Sequence, residues 1–205
     1  MLRYYLHALI LIVALLSVPV CTKCGADPAV PGVANFHQVN GNIYRGGQPT
    51  PQAWTSLKRL GVKTVIDLCG DGEHSIKAER QAVDAAGMHY VSVPMKSIRA
   101  PTDETMFKVL AVLQSSDAAP VFVHCRLGVD RTGAVIACYR IAHDGWRNQK
   151  ALEEAKSYGM HWFELGLMRY VLRFSPLPQS VPAESAPNRA SESSQLPPNY
   201  TVTNL

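Results

Sequence analysis

Val121-Phe-Val-His-Cys-Arg-Leu-Gly-Val-Asp-Arg-Thr-Gly133 places one thiol between an apolar run and a loop that closes on a guanidinium. The residues Val121 to Val123 predict a buried strand. From Arg131, the run Arg131-Thr-Gly-Ala-Val-Ile-Ala-Cys-Tyr-Arg-Ile-Ala142 predicts a helix that opens as the loop ends. Cys125 therefore falls where a strand hands over to a helix. Backbone N–H groups between Cys125 and Arg131 can curl around an anion, and the helix adds unpaired amides and the positive end of its dipole. Thiols at helix N-termini beside cations give up their proton more readily than free cysteine does. Arg131 offers a planar fork of donors that fits two oxygens of a phosphoryl group. Gly128 lets the loop turn without a Cβ in the way of a ligand. The cradle so defined is Cys125, Arg126, Leu127, Gly128, Val129, Asp130 and Arg131, with the hydroxyl of Thr132 available to the thiolate.

Working upstream, Asn40-Gly41 is a hairpin signal between short strand-like pieces, and Thr50 with Pro51 predicts the start of a helix. Val62 to Leu68 reads as a strand, Ile76 to Ala86 as a helix stopped by Gly87, and His89 to Pro94 as another strand. Thr102 caps a helix whose Met106, Val109, Leu110 and Leu113 share one face. Downstream, Asn148 to Ser157 and His161 to Phe174 read as helices, the second presenting Phe163, Leu167, Tyr170, Val171 and Phe174. Strands alternating with helices imply an α/β fold, a central and mostly parallel sheet flanked by helices, over residues 33–175.

The segment His124 to Gly133 resembles the signature of cysteine-based protein tyrosine and dual-specificity phosphatases. Ile43-Tyr-Arg-Gly-Gly-Gln-Pro49 is similar to the opening segment of the atypical, bacterial and fungal branch. The resemblance implies a dual-specificity phosphatase-like fold and hydrolysis of phosphate monoesters through a cysteinyl-phosphate. Phosphotyrosine is the implied substrate, with phosphoserine, phosphothreonine, phosphoinositides and inositol polyphosphates as alternatives. Partners are then a phosphoprotein or a phosphorylated small molecule or lipid. Cys125 would attack phosphorus, Arg131 would hold the transferred group, and Thr132 would ease departure of the thiolate. No cofactor and no metal is expected. A binding module that captures phosphorylated ligands without turnover is the alternative of another class, although both Cys125 and Arg131 are present.

The general acid departs from the family's pattern. Its aspartate usually follows the strand that ends near Val93, where this chain reads Lys96-Ser-Ile-Arg-Ala-Pro-Thr-Asp103. By resemblance to the loops of myotubularins and some bacterial phosphatases, Asp130 is the candidate acid, with Asp103 the alternative. Asp67 and Asp71, which follow a strand towards the site, rank lower. Cys69 ends the strand expected beside the catalytic one. It reads either as a small buried residue or, by resemblance to some family members, as a redox partner of Cys125. Basic residues His74, Lys77 and Lys96 read chiefly as solvated charge.

Across 205 residues, 47% are apolar and 18% charged, and the formal net charge is +4. That charge is too small, and too little interleaved with aromatic residues, to argue for nucleic acid. Cys21 and Cys24 are spaced as C-x-x-C, with no second pair at zinc spacing. Residues 1–26, one arginine followed by the apolar run Leu6 to Val20, read as a signal peptide or N-terminal anchor. The expectation is export, to the periplasm if the host is bacterial. Contact with a membrane is expected only if that segment is retained or Cys21 is lipidated. Residues 176–205, rich in Pro, Ser, Asn and Gln, read as a disordered tail.

Overall fold

Two short strands, β1 (His37–Asn40) and β2 (Ile43–Gly46), form the hairpin that Asn40-Gly41 predicts. The computed structural model describes residues 29–70, 72–96 and 99–176. Met1 to Ala26, Cys21, Cys24, Asp71, Ser97 and residues 177–205 lie outside the described residues. Among the described residues, no helix is long and apolar enough to cross a membrane.

After β2 come α1 (Ala53–Arg59), β3 (Thr64–Asp67), α2 (Ile76–Ala85), β4 (His89–Ser92), α3 (Asp103–Gln114), β5 (Val121–His124), α4 (Asp130–Ala142), α5 (Asn148–Ser157) and α6 (Leu165–Arg173). The sheet order is β1-β2-β5-β3-β4, with β1 antiparallel and every other neighbour parallel. The fold is α/β, as expected. Alternation along β5 divides the core between the two faces of the sheet. Val121 and Val123 pack with Met106, Val109 and Ile136 from α3 and α4, whereas Phe122 packs with Trp54, Leu57 and Val83 from α1 and α2. Both faces are covered, so the central strands are buried along their whole length. Cys125 leaves the carboxyl end of β5 between β2 and β3, where open parallel sheets place their ligands.

Helix α3 follows its pattern closely: Thr102 Oγ1 accepts from Thr105 N at 3.2 Å, and Met106, Val109, Leu110 and Leu113 are buried. Two helix starts differ from expectation. Thr50 does not cap α1; its amide donates to Gly32 O and its carbonyl accepts from Ala53 N, so Pro51 and Gln52 form a turn first. Helix α6 starts at Leu165 rather than His161, because the His161 amide donates to the side chain of Asp130 at 2.9 Å. Residues 161–164 are thereby held against the cysteine loop. Phe163 is 55% exposed rather than part of the core, while Leu167, Tyr170, Val171 and Phe174 are buried.

Candidate active site

The loop after β5 is shaped by the hairpin beside it. The Gly128 carbonyl accepts from Asn35 Nδ2 at 2.9 Å and Arg45 Nη2 at 2.8 Å, and the Arg126 carbonyl accepts from Gln48 N at 3.1 Å. With these carbonyls engaged on the hairpin side, the loop's N–H groups are left for an anion. Gly128 has φ +74°, and a Cβ there would lie 2.3 Å from Gly46 C and 2.4 Å from Gly47 N. The double glycine of Ile43 to Pro49 and the glycine of the loop are thus one packing unit.

Arg45 is the residue in that unit whose role the sequence reading leaves open. It is fully buried, stacks 4.5 Å from the Tyr158 ring centroid, and keeps Nε and Nη1 without hydrogen-bond partners among the described residues. Burial pushes its pKa down, partly offset by the charges of Tyr158, Glu154 and Cys125. A second cation therefore stands behind the loop. Its signal was its place in the Ile43 to Pro49 segment.

Cys125 and Arg131 face a cleft of roughly 260 Å³ whose wall also carries Arg126, Leu127 and Asp130. The Arg131 guanidinium is held from one side: Nη1 and Nη2 donate to the two oxygens of Glu73 at 2.6 and 2.7 Å, and Nη1 also lies 3.2 Å from the carbonyls of Leu68 and Met95. Burial opposes its charge, but the bond to Glu73 and the charge on Cys125 outweigh it and hold Arg131 protonated. The bond to Arg131 in turn holds the Glu73 carboxyl below the usual carboxylate range. Thr132 is fully buried and its hydroxyl makes no hydrogen bond among the described residues, so the expected contact with the thiol is not formed.

Asp130 opens α4 on the cleft wall, and both its oxygens lie within hydrogen-bond distance of His161 Nδ1, at 3.0 and 2.9 Å, with Oδ1 also accepting the His161 amide. Asp103 is not brought to this cleft: it begins α3 and accepts from Tyr170 Oη at 2.9 Å. Two residues of the wall come from the segment expected to be helical, Phe163 and Glu164. Periodicity places Phe163 in the core and carries no signal for Glu164.

Beneath the loop, His124 Nε2 lies 2.9 Å from Glu79 Oε1, and His74 Nε2 lies 2.6 Å from Glu79 Oε2 and 3.1 Å from Asp67 Oδ2. The ring nitrogens are not aligned on these oxygens, so the contacts are close approaches rather than hydrogen bonds. His74 is thus drawn inward instead of standing as solvated charge. Asp67-Cys69-His124 and Asp67-His74-Glu79 each bring ligand atoms within 4.8 Å of one another, close enough for a metal ion. Their carboxylates are already engaged by protein donors, since Asp67 accepts from Tyr90 Oη and Cys69 N, and Glu79 accepts from Gln48 Nε2. Cys69 and Cys125 are both free thiols. Burial, reinforced by Asp67, pushes the Cys69 thiol up, and its Sγ lies 3.5 Å from Gln48 Oε1.

Residues 30–166 match the family described as "DSP-PTPase phosphatase fused to NAD+ Kinase". The dual specificity protein phosphatase TpbA of Pseudomonas aeruginosa is 34% identical over 134 residues, which are 65% of this chain and 56% of that protein. The chain therefore spans little more than half the length of this curated relative. A crystal structure of P. aeruginosa TpbA, with its cysteine replaced by serine and in complex with phosphotyrosine, superposes with a TM-score of 0.58 at 30% identity, covering 70% of this chain and 91% of that one. The inositol diphosphatase DSP4 of Arabidopsis thaliana is 29% identical over 120 residues, 57% of this chain and 59% of that protein.

Proposed function

The chain belongs to the DSP-PTPase phosphatase family, and on that premise we propose that it hydrolyses phosphate monoesters of protein tyrosine through a cysteinyl-phosphate. The observation that carries this reading is Cys125 and Arg131 on one cleft, at the mouth of a loop whose carbonyls are engaged elsewhere. The Cys125 thiolate attacks phosphorus in line, while the loop amides and Arg131 hold the equatorial oxygens as charge develops. For Arg131 to do so, it gives up part of its contact with Glu73. A carboxyl of the cleft wall supplies the proton to the departing oxygen, and a water then releases phosphate from sulfur.

Phosphotyrosine is favoured by what rims the cleft. Leu127 is 53% exposed and Phe163 55%, apolar surface on the cleft wall of the kind an aryl ring packs against. The wall also carries the carboxylates of Glu73 and Asp130, which disfavour a substrate bearing several further phosphates. The relative that acts on an inositol diphosphate makes that class the second reading, with Arg126 on the wall as the cation that would meet an additional phosphate. Turnover of a phosphotyrosyl peptide against a pyrophosphorylated inositol tests the choice. The peptide is expected to show the higher kcat/KM, and the reverse order would overturn the substrate class while leaving the mechanism in place.

From Met1 to Ala26 the sequence supports export, to the periplasm if the host is bacterial, with membrane attachment only through a retained leader or lipidated Cys21. A reporter fused after residue 175 should be active only if it works outside the cytoplasm. Activity of a strictly cytoplasmic reporter would contradict this placement.

A further inference from the structure

We propose that Glu164 is the proton donor to the leaving oxygen, an assignment that rests on the phosphatase reading above. Glu164 stands on the wall of the cleft that Cys125 and Arg131 share, is only 7% exposed, and has a buried Oε2 with no hydrogen-bond partner among the described residues. The other two carboxyls of that wall are engaged. Both oxygens of Glu73 accept from Arg131, and both oxygens of Asp130 face His161 Nδ1. A buried carboxyl oxygen that nothing donates to is a poor place for negative charge and a good place for a proton. Burial, with the charge of Asp130 added to it, pushes the Glu164 pKa up, partly opposed by His161 and Arg131. One carboxyl that keeps its proton beside others that act as acceptors is how an enzyme divides acid from base. The segment Lys96-Ser-Ile-Arg99 carries no carboxylate, and Asp103 is turned to Tyr170, so this cleft needs a donor from elsewhere.

In the first step the bond between Cys125 sulfur and phosphorus forms and the ester P–O bond breaks. The electron pair stays on the leaving oxygen, which takes the Glu164 proton and departs as the alcohol. In the second step a water oxygen bonds to phosphorus, the S–P bond breaks with its pair returning to Cys125, and the water's proton restores Glu164. The sum is ester plus water to alcohol plus phosphate.

Glu164→Gln keeps the shape and removes the acid. With aryl phosphates spanning a range of leaving-group pKa, E164Q is expected to lose kcat about 10²-fold on phenyl phosphate and far less on an activated dinitrophenyl ester. The alkaline limb of its pH–rate profile should also vanish. Asp130→Asn should keep that limb and the shallow dependence on leaving group. A thermal melt checks that E164Q is folded, and Glu164→Asp, expected to retain the alkaline limb at reduced rate, gives the comparison by a second route. An E164Q enzyme with the wild-type limb and slope, or a D130N enzyme that takes on the E164Q behaviour, overturns the assignment. If wild-type protein turns over no aryl phosphate, the phosphatase reading and this assignment fall together; normal turnover with an indifferent E164Q removes the assignment alone.

Discussion

Gly128→Ala probes the packing that shapes the cysteine loop. At φ +74° an L-residue costs about 1–2 kcal/mol in backbone conformation alone. The added Cβ would lie 2.3 Å from Gly46 C and 2.4 Å from Gly47 N, both backbone atoms, so the loop and the hairpin must part by roughly 1 Å to regain van der Waals contact. That separation pulls the Gly128 carbonyl from Arg45 and Asn35 and turns the loop amides away from the phosphoryl oxygens. A misplacement of about 1 Å costs on the order of 10²-fold in rate. Gly61→Ala is the control, because Gly61 has φ +85° with no heavy atom within 4 Å of the Cβ position. Aryl phosphate hydrolysis and a thermal melt on both variants separate the two effects. Both should lose about 1–2 kcal/mol from the backbone, G128A more, and only G128A should lose kcat/KM by about 100-fold. A G128A enzyme with wild-type kcat/KM would refute the claim that the hairpin sets the loop.

Arg45→Met should lower kcat/KM about 10-fold or more and slow alkylation of Cys125 by iodoacetamide, since it removes the cation behind the loop and one donor to Gly128 O; unchanged alkylation would remove the electrostatic role. Glu79→Ala removes the carboxylate that His74 and His124 share and leaves Gln48 Nε2 without its acceptor, and should destabilise the protein by about 1–3 kcal/mol in denaturant unfolding. The two shifted cleft carboxyls should act on stability in opposite directions with pH. Glu73, held low by Arg131, contributes stability above its ordinary pKa that is lost as pH falls through its depressed value, so Glu73→Gln flattens the acid side of a melting profile. Glu164, pushed up by burial, contributes stability below its ordinary pKa that is lost as pH rises through its raised value, so E164Q flattens that rise-side loss instead.

What could be read from residues alone follows the range of the forces involved. The apolar face of α3, the strand Val121 to Val123 and the hairpin at Asn40-Gly41 are set by neighbours in sequence, and each forms as expected. The start of α6 is set by Asp130, which binds His161 across 31 positions, a contact that periodicity does not carry. Phe163 matched a helical face, yet that contact turns it to the cleft. Glu73 reaches Arg131 across 58 positions, and Arg45 reaches Gly128 across 83. Cys125 and Arg131 were legible because nucleophile and anion holder sit within one short loop. The carboxyls and the second cation around them come from separate elements that only the sheet brings together.

The central claim is a covalent phosphoryl group on Cys125, and acid-quenched turnover of p-nitrophenyl phosphate analysed by peptide mass spectrometry tests it most directly. One phosphoryl group is expected on the peptide containing Cys125 in the wild-type protein, with neither adduct nor turnover in Cys125→Ser. Turnover that survives Cys125→Ser, or an adduct on another residue, would contradict it.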